Sequence, residues 1–291
     1  MSEDITNPSP LSNQRICFYG AGAMAEAIVR GILKQNLIEA GNISMLNRSS
    51  EERLTFLQKE YGVQTILNGI TQEQLLVHAD IIVLAMKPKD AVTALEVLKS
   101  HLREEQLIVS VIAGLSIASI KQLTSEKQPV VRAMPNTSST IGLGATGVSC
   151  SPDVTDSQLE AMKAIFQSIG YCTVVEETLQ PAITGVSGSG PAYVYRFMEG
   201  MISGAQSLGL SYVEAKQLVA QTVLGAAEMV QITNEDPAEL RRKVTSPNGT
   251  TEAALNVLGE FQFAEAIQAA VKRSADRSVE LGAAIERSIS Q

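Results

Sequence analysis

The stretch RICFYGAGAMAEAIVRGIL, Arg15 to Leu33, decides the fold. A short apolar run ends in Gly20-x-Gly22-x-x-Ala25, and helical periodicity follows at once. Each position has a physical reason: Gly20 permits a tight turn, Gly22 lets a pyrophosphate approach the backbone, and Ala25 permits close packing of helix on strand. The helix start, with Ala23 and Met24, offers unpaired N–H groups and a dipole that favours negative charge. A glycine triplet alone is weak, but as the first strand-turn-helix of an alternating series it predicts a dinucleotide site.

Outward from this stretch, "ISMLN", "ADIIVLAM", "QLIVSVIAG" and "PVVRAM" read as further strands, separated by helices such as Met24 to Gln35 and Asp90 to His101. Strands apolar on both faces, alternating with helices, predict a parallel sheet covered on both sides. After Glu177 the pattern turns helical, from "GPAYVYRFMEGMISGAQSLG" to "FAEAIQAAVKRSADRSVELGAAIERSI". The expected fold is α/β: a Rossmann-type doubly wound parallel sheet, then an all-α C-terminal dimerisation domain. Its divisions are a disordered tail over 1–14, a dinucleotide-binding domain over 15–177 and a helical domain over 178–291. Asp236-Pro237-Ala238-Glu239 predicts a helix start, with Asp as the cap and Pro at the first position.

Composition narrows the class. The chain has 291 residues, 45% hydrophobic and 19% charged, with only 4% aromatic and no tryptophan, so small residues must do much of the packing. A net charge of -8 excludes a general electrostatic footprint for nucleic acid or an anionic membrane. Cys17, Cys150 and Cys172 are widely spaced without a C-x-x-C pattern, which predicts reduced thiols in a cytoplasmic protein and no metal site. The polar N-terminus lacks the apolar core of a signal peptide, and no later segment is apolar for a membrane span. In the helical half Gly200, Ser203, Gly204, Ala205, Gly225, Ala226 and Ala227 permit close helix approach. Scarce large apolar side chains there favour a core shared with a second subunit over tight packing within one.

The end of the second strand selects the cofactor. "SMLNRSS" has Asn47 where an NAD site typically has a carboxylate on the ribose, followed by Arg48, Ser49 and Ser50. A guanidinium with hydroxyls favours a 2′-phosphate, hence NADPH, with NADH as the second option; Ser50 also reads as a helix cap in "RSSEE". The strand ending in "LAMKPKD", counted as the fourth, puts Lys87-Pro88 at the carboxyl edge of the sheet, where such sheets bind ligands. Asn68, Ala85 and Met86 complete the candidate cofactor contacts with Lys87 and Pro88. Lys87 as an acid or base and Lys87 as a structural or solvated residue both stay open.

Two loops mark the helical half. "TGVSGSGPAYVYRFMEG" carries Gly185, Gly188 and Gly190 before Pro191 and reads as a flexible loop leading into a long helix. "VTSPNGTTEAAL", Val244 to Leu255, is a sharp turn delivering a helix N-terminus. With "AMKP" and "RAMPNT", these motifs give the chain a resemblance to the pyrroline-5-carboxylate reductase family from about Arg15 to Glu286. The chain departs from the family's common pattern at Ser138, where a proline is usual, and at Asn248, where a glycine is usual; asparagine tolerates the left-handed conformation.

The resemblance implies that N–H groups of Asn248, Gly249, Thr250 and Thr251 bind a substrate carboxylate, with Ser246 beside them, and that the helical domains of a homodimer or higher oligomer interleave. It also implies hydride transfer to a protonated cyclic imine. That chemistry gives a neutral amine directly and dispenses with a histidine or lysine acid, and only His78 and His101 are present. Thr251 is the candidate catalytic residue, through a hydrogen bond to the ring nitrogen. A β-hydroxyacid dehydrogenase shares the domain order, but "GPAYVYRFMEGMISGAQ" lacks the lysine expected there. A non-catalytic NADPH-binding redox sensor is the alternative from another class.

Overall fold

The structure is a computed structural model describing residues 9–48 and 50–289; Ser49, among the candidate cofactor contacts, lies outside the described residues. Among the described residues, β1 (Ile16–Tyr19), β2 (Ile43–Leu46), β3 (Ile81–Leu84), β4 (Leu107–Ser110), β5 (Val130–Met134), β6 (Gly144–Cys150) and β7 (Gly170–Val174) form one sheet. Its order is β2-β1-β3-β4-β5-β6-β7. The first five strands run parallel, β6 is antiparallel to β5, and β7 is parallel to β6. The strand before "AMKPKD" is therefore third in the chain, not fourth. β6 and β7 escape the sequence reading because "GATGVSC" and "GYCTV" carry glycine, serine and threonine where a buried strand usually shows a branched apolar run.

Successive residues of each parallel strand enter two separate cores. Ile16, Phe18, Met45, Val83 and Val109 join one, against α1 (Ala23–Lys34), α2 (Glu51–Tyr61) and α6 (Asp156–Gln167). Cys17, Leu46, Ile82, Leu84 and Ile108 join the other, against α3 (Gln72–His78), α4 (Ala91–Lys99) and α5 (Ile117–Leu123). Each large side chain fully buried in this way contributes about 1.5–3 kcal/mol, so both sheet faces are firmly covered. The tail expected to be disordered over 1–14 is not so throughout: Leu11 is fully buried in the first core, held by a bond from its N–H to Ser9 Oγ (3.2 Å). Residues 1–8 lie outside the described residues.

Packing divides the chain into a first unit up to Gly188, which also takes in Arg273 onward, and a second unit, Ser189–Lys272. In the first unit the expected flexible glycine loop is helical instead. α7 (Gln180–Ile183) runs into a π-helical turn, Thr184–Gly188. Thr184 and Ser187 hydroxyls donate back to the Gln180 and Ile183 carbonyls, and the Asn136 amide donates to the Ser187 carbonyl at 3.0 Å.

The second unit contains α8 (Gly190–Ser207), α9 (Tyr212–Thr233), α10 (Pro237–Lys243), α11 (Thr250–Glu260) and the start of α12 (Phe263–Ile289). Its caps follow local chemistry: Ser211 and Glu214 form a capping box at α9, and Asp236 accepts from the Ala238 N–H before Pro237 starts α10. Among its described residues only Ala215 and Val219 are buried apolar positions. Leu208, Ile232 and Phe261 are 88%, 78% and 79% exposed. No helix among the described residues is long and apolar enough to cross a membrane.

Candidate functional site

The glycine turn is built as its spacing demands. Gly20 has φ +114°, and a Cβ placed on it would lie 2.6 Å from the carbonyl carbon and oxygen of Ala85 and 2.9 Å from the Met86 nitrogen. The turn thus packs directly on the backbone leaving β3, which brings Gly20, Ala85 and Met86 together. Gly22, by contrast, has ordinary backbone angles, and a Cβ there would meet only the Ala85 oxygen at 4.0 Å. That open space above the first turn of α1, whose cap has no side-chain hydrogen bond, fits a pyrophosphate on the N–H groups of Ala23 and Met24.

A clamp holds this turn. Arg53 Nε donates to the Ala21 carbonyl at 2.9 Å, its guanidinium pairs with Glu26 on α1, and Tyr61 donates to Glu26 at 2.7 Å. Burial pushes the Glu26 carboxyl up, but the Arg53 and Tyr61 hydrogen bonds and nearby positive charge outweigh it and hold the group below its ordinary 4.5. Sequence reasoning misses this clamp because its members are up to 35 positions apart. Ser50 caps α2 by accepting from the Arg53 N–H, as read from "RSSEE".

At the end of β2, Arg48 is exposed and its guanidinium stands 3.5 Å from a carboxylate oxygen of Asp90. The carboxylate-free environment expected around Arg48 is thus modified by a residue from beyond β3. Lys87 opens a 3₁₀ turn, Pro88–Asp90, with Pro88 in the first position, a structural part consistent with one of the two readings left open for it. Asn68 closes a capping box, its side-chain oxygen accepting from the Thr65 N–H at 2.9 Å.

In the second unit, the "SPNGTT" turn keeps its geometry without the usual glycine: Asn248 adopts φ +59°. Gly249 is the cap residue of α11 and makes no side-chain capping bond. The structure divides the four expected anion donors. The Asn248 N–H is taken by the Glu252 carboxylate (2.8 Å) and the Gly249 N–H by the Ser246 carbonyl (3.0 Å). These two donors already serve the turn, because a tight loop satisfies its own polar groups first. The N–H groups of Thr250, Thr251 and Glu252 form the first turn of the helix, where no intrahelical acceptor exists. Ser138, the other departure, falls within a 3₁₀ turn, Thr137–Ile141, that forms without a proline.

Comparison with known proteins adds the family. Residues 177–281 match the family described as pyrroline-5-carboxylate reductase dimerisation, and residues 15–114 match that described as NADP oxidoreductase, coenzyme F420-dependent. A Bacillus subtilis protein named pyrroline-5-carboxylate reductase 2 is 42% identical over 279 residues, spanning 94% of this chain and 99% of its own. The chain belongs to the pyrroline-5-carboxylate reductase family. A pyrroline-5-carboxylate reductase of Pseudomonas aeruginosa is 36% identical over 272 residues, 93% of this chain and 98% of its own. Among solved structures, the reductase of Coxiella burnetii aligns with a TM-score of 0.86 at 35% identity, covering 93% of this chain and 99% of its own. That of Plasmodium falciparum, with NADP bound, aligns at 0.83 and 30% identity, covering 93% and 99%.

Within this reductase frame the "RAMPNT" motif is a fastening. Arg132 is 9% exposed and pairs with Glu177 at 3.0 Å. Asn136 accepts from the Ala145 N–H while its amide holds the π-helical turn that precedes "GPAY". Neither role can be read locally, since the partners lie 45 and 51 positions away.

Proposed function

We infer that the chain reduces 1-pyrroline-5-carboxylate to proline with NADPH, or with NADH, as the last step of proline biosynthesis. The observation that carries this is the match, at 42% identity, along almost the whole length of a pyrroline-5-carboxylate reductase. The β-hydroxyacid dehydrogenase reading falls with family membership. In this proposal Gly20, Gly22, Ala23, Met24, Ala85 and Met86 form the pyrophosphate and ribose cradle, with Lys87, Pro88, Asn47 and Asn68 lining it, and Arg48 meets the 2′-phosphate. NAD(P)H bound there supplies the hydride.

The substrate side of the proposal rests on α11. A carboxylate seated on the Thr250, Thr251 and Glu252 N–H groups gains unpaired donors and a favourable dipole without an arginine. Ser246, Asn248 and Gly249 shape that seat by holding the turn. As hydride addition turns the protonated imine into a neutral amine, the ring nitrogen gains a lone pair, and the Thr251 hydroxyl donates to it, so this interaction strengthens along the reaction. Positioning and fixed dipoles carry most of the rate, since no side-chain acid has to protonate an alkoxide.

A homo-oligomer completes the second unit. Its exposed apolar residues and its two buried ones leave too little core to offset about 1–2 kcal/mol of backbone entropy per ordered residue. Gly200, Gly204 and Gly225 face open space within the chain, where an added Cβ would meet nothing within 4 Å; these small-residue stripes therefore suit a partner's helices. Burial keeps the thiols of Cys17 and Cys172 pushed up to about 12 and about 11, which suits a reducing cytoplasm. The functional test is the loss of NADPH absorbance on adding pyrroline-5-carboxylate. Oxidation at catalytic rates supports the reductase, whereas NADPH binding without turnover would establish the sensor instead.

A further inference from the structure

We propose that Asp90 is a specificity-determining residue, the resident counter-ion of Arg48, which restrains the preference for NADPH over NADH. The proposal rests on the reading of Arg48 as the 2′-phosphate contact. Three observations converge on it. Asp90 lies 3.5 Å from the Arg48 guanidinium. Although aspartate is a strong capping residue and Asp90 occupies the cap position of α4, its side chain makes no capping bond, so the carboxylate is left for Arg48. Its place is also stiffened: Pro88 opens the 3₁₀ turn and the Asp90 N–H donates to the Lys87 carbonyl at 3.0 Å.

The turn continues from Ala85, whose backbone packs on Gly20. Asp90 therefore belongs to the same crevice edge as the cofactor cradle. NADH leaves the Arg48–Asp90 pair intact. NADPH brings a phosphate that competes with Asp90 for the guanidinium and is repelled by the carboxylate. Because Arg48 is 84% exposed, the effect is that of a surface pair, up to about fivefold in an equilibrium constant, and it weakens with salt.

The test titrates the nicotinamide fluorescence of NADPH and NADH on the full-length wild-type protein, D90N, R48A and the double variant, with D90S as a second replacement and thermal melts to verify folding. Removing the carboxylate should raise the Kd ratio of NADH to NADPH by about two- to fivefold at low salt, less at high salt, and by a smaller factor in the R48A background. If R48A fails to weaken NADPH selectively, the Arg48 reading itself falls. If R48A does so but D90N and D90S leave the ratio unchanged or lower it, Arg48 stands and the proposal for Asp90 is overturned.

Discussion

Replacing each of the first two glycines of the cofactor turn with alanine should separate two roles that the motif merges. At Gly20, alanine must adopt φ +114° and place its Cβ 2.6 Å from backbone atoms of Ala85. Backbone there cannot step aside without moving the end of β3. The positive φ costs roughly 1–3 kcal/mol and the overpacking about as much again. A total of roughly 2–6 kcal/mol should lower Tm by about 5–20 °C. Gly22→Ala faces neither problem, since φ is -78° and the nearest atom to its Cβ is 4.0 Å away. Its stability should change by less than about 1 kcal/mol. The new methyl instead occupies the open space over the start of α1. A clash of about 1–3 kcal/mol with a pyrophosphate raises the NADPH Kd roughly 5- to 150-fold. Thermal unfolding without ligand and fluorescence titration of NADPH read the two effects separately. A Gly22→Ala protein that binds NADPH like the wild type, or a Gly20→Ala protein with an unchanged Tm, would refute the division.

Thr251→Val keeps the branched shape and removes the hydroxyl, so kcat should fall about tenfold, the loss of roughly 1.4 kcal/mol in the transition state, with little change in KM; turnover at the wild-type rate would remove Thr251 from the chemistry. Sedimentation should show an assembly of at least twice 31.1 kDa, and a fully active monomer would contradict the shared core. The Glu26 clamp sets a pH dependence. Its folded pKa is held below 4.5, so its stabilisation is complete above that value and is lost as the pH falls through the folded one. Glu26→Gln should flatten the acid side of the Tm profile below about pH 4.5, and an unaltered profile would show that the clamp does not contribute.

Local chemistry by itself determined much of this protein. Helix starts are legible because a cap acts within three residues, as at Ser50, Ser211 and Asp236. The glycine turn is legible because only certain residues fit its backbone, and the first five strands because apolar runs on both faces have one use in an α/β chain. β6 and β7 were not, since their small residues hold a place in the sheet by pairing, β6 with β5 and β7 with β6, rather than by hydrophobicity. Only the tertiary structure decided which donors of the "SPNGTT" turn remain open, because the answer depends on Ser246 and Glu252 folding back onto the loop. It alone placed Asp90 beside Arg48, 42 positions apart in the chain, and Asn136 on the π-helical turn. Such contacts have no local signature: Arg48 and Asp90 meet because β2 and β3, parallel strands on either side of β1, end on the same edge of the sheet, and the order of strands is set by the packing of the whole core.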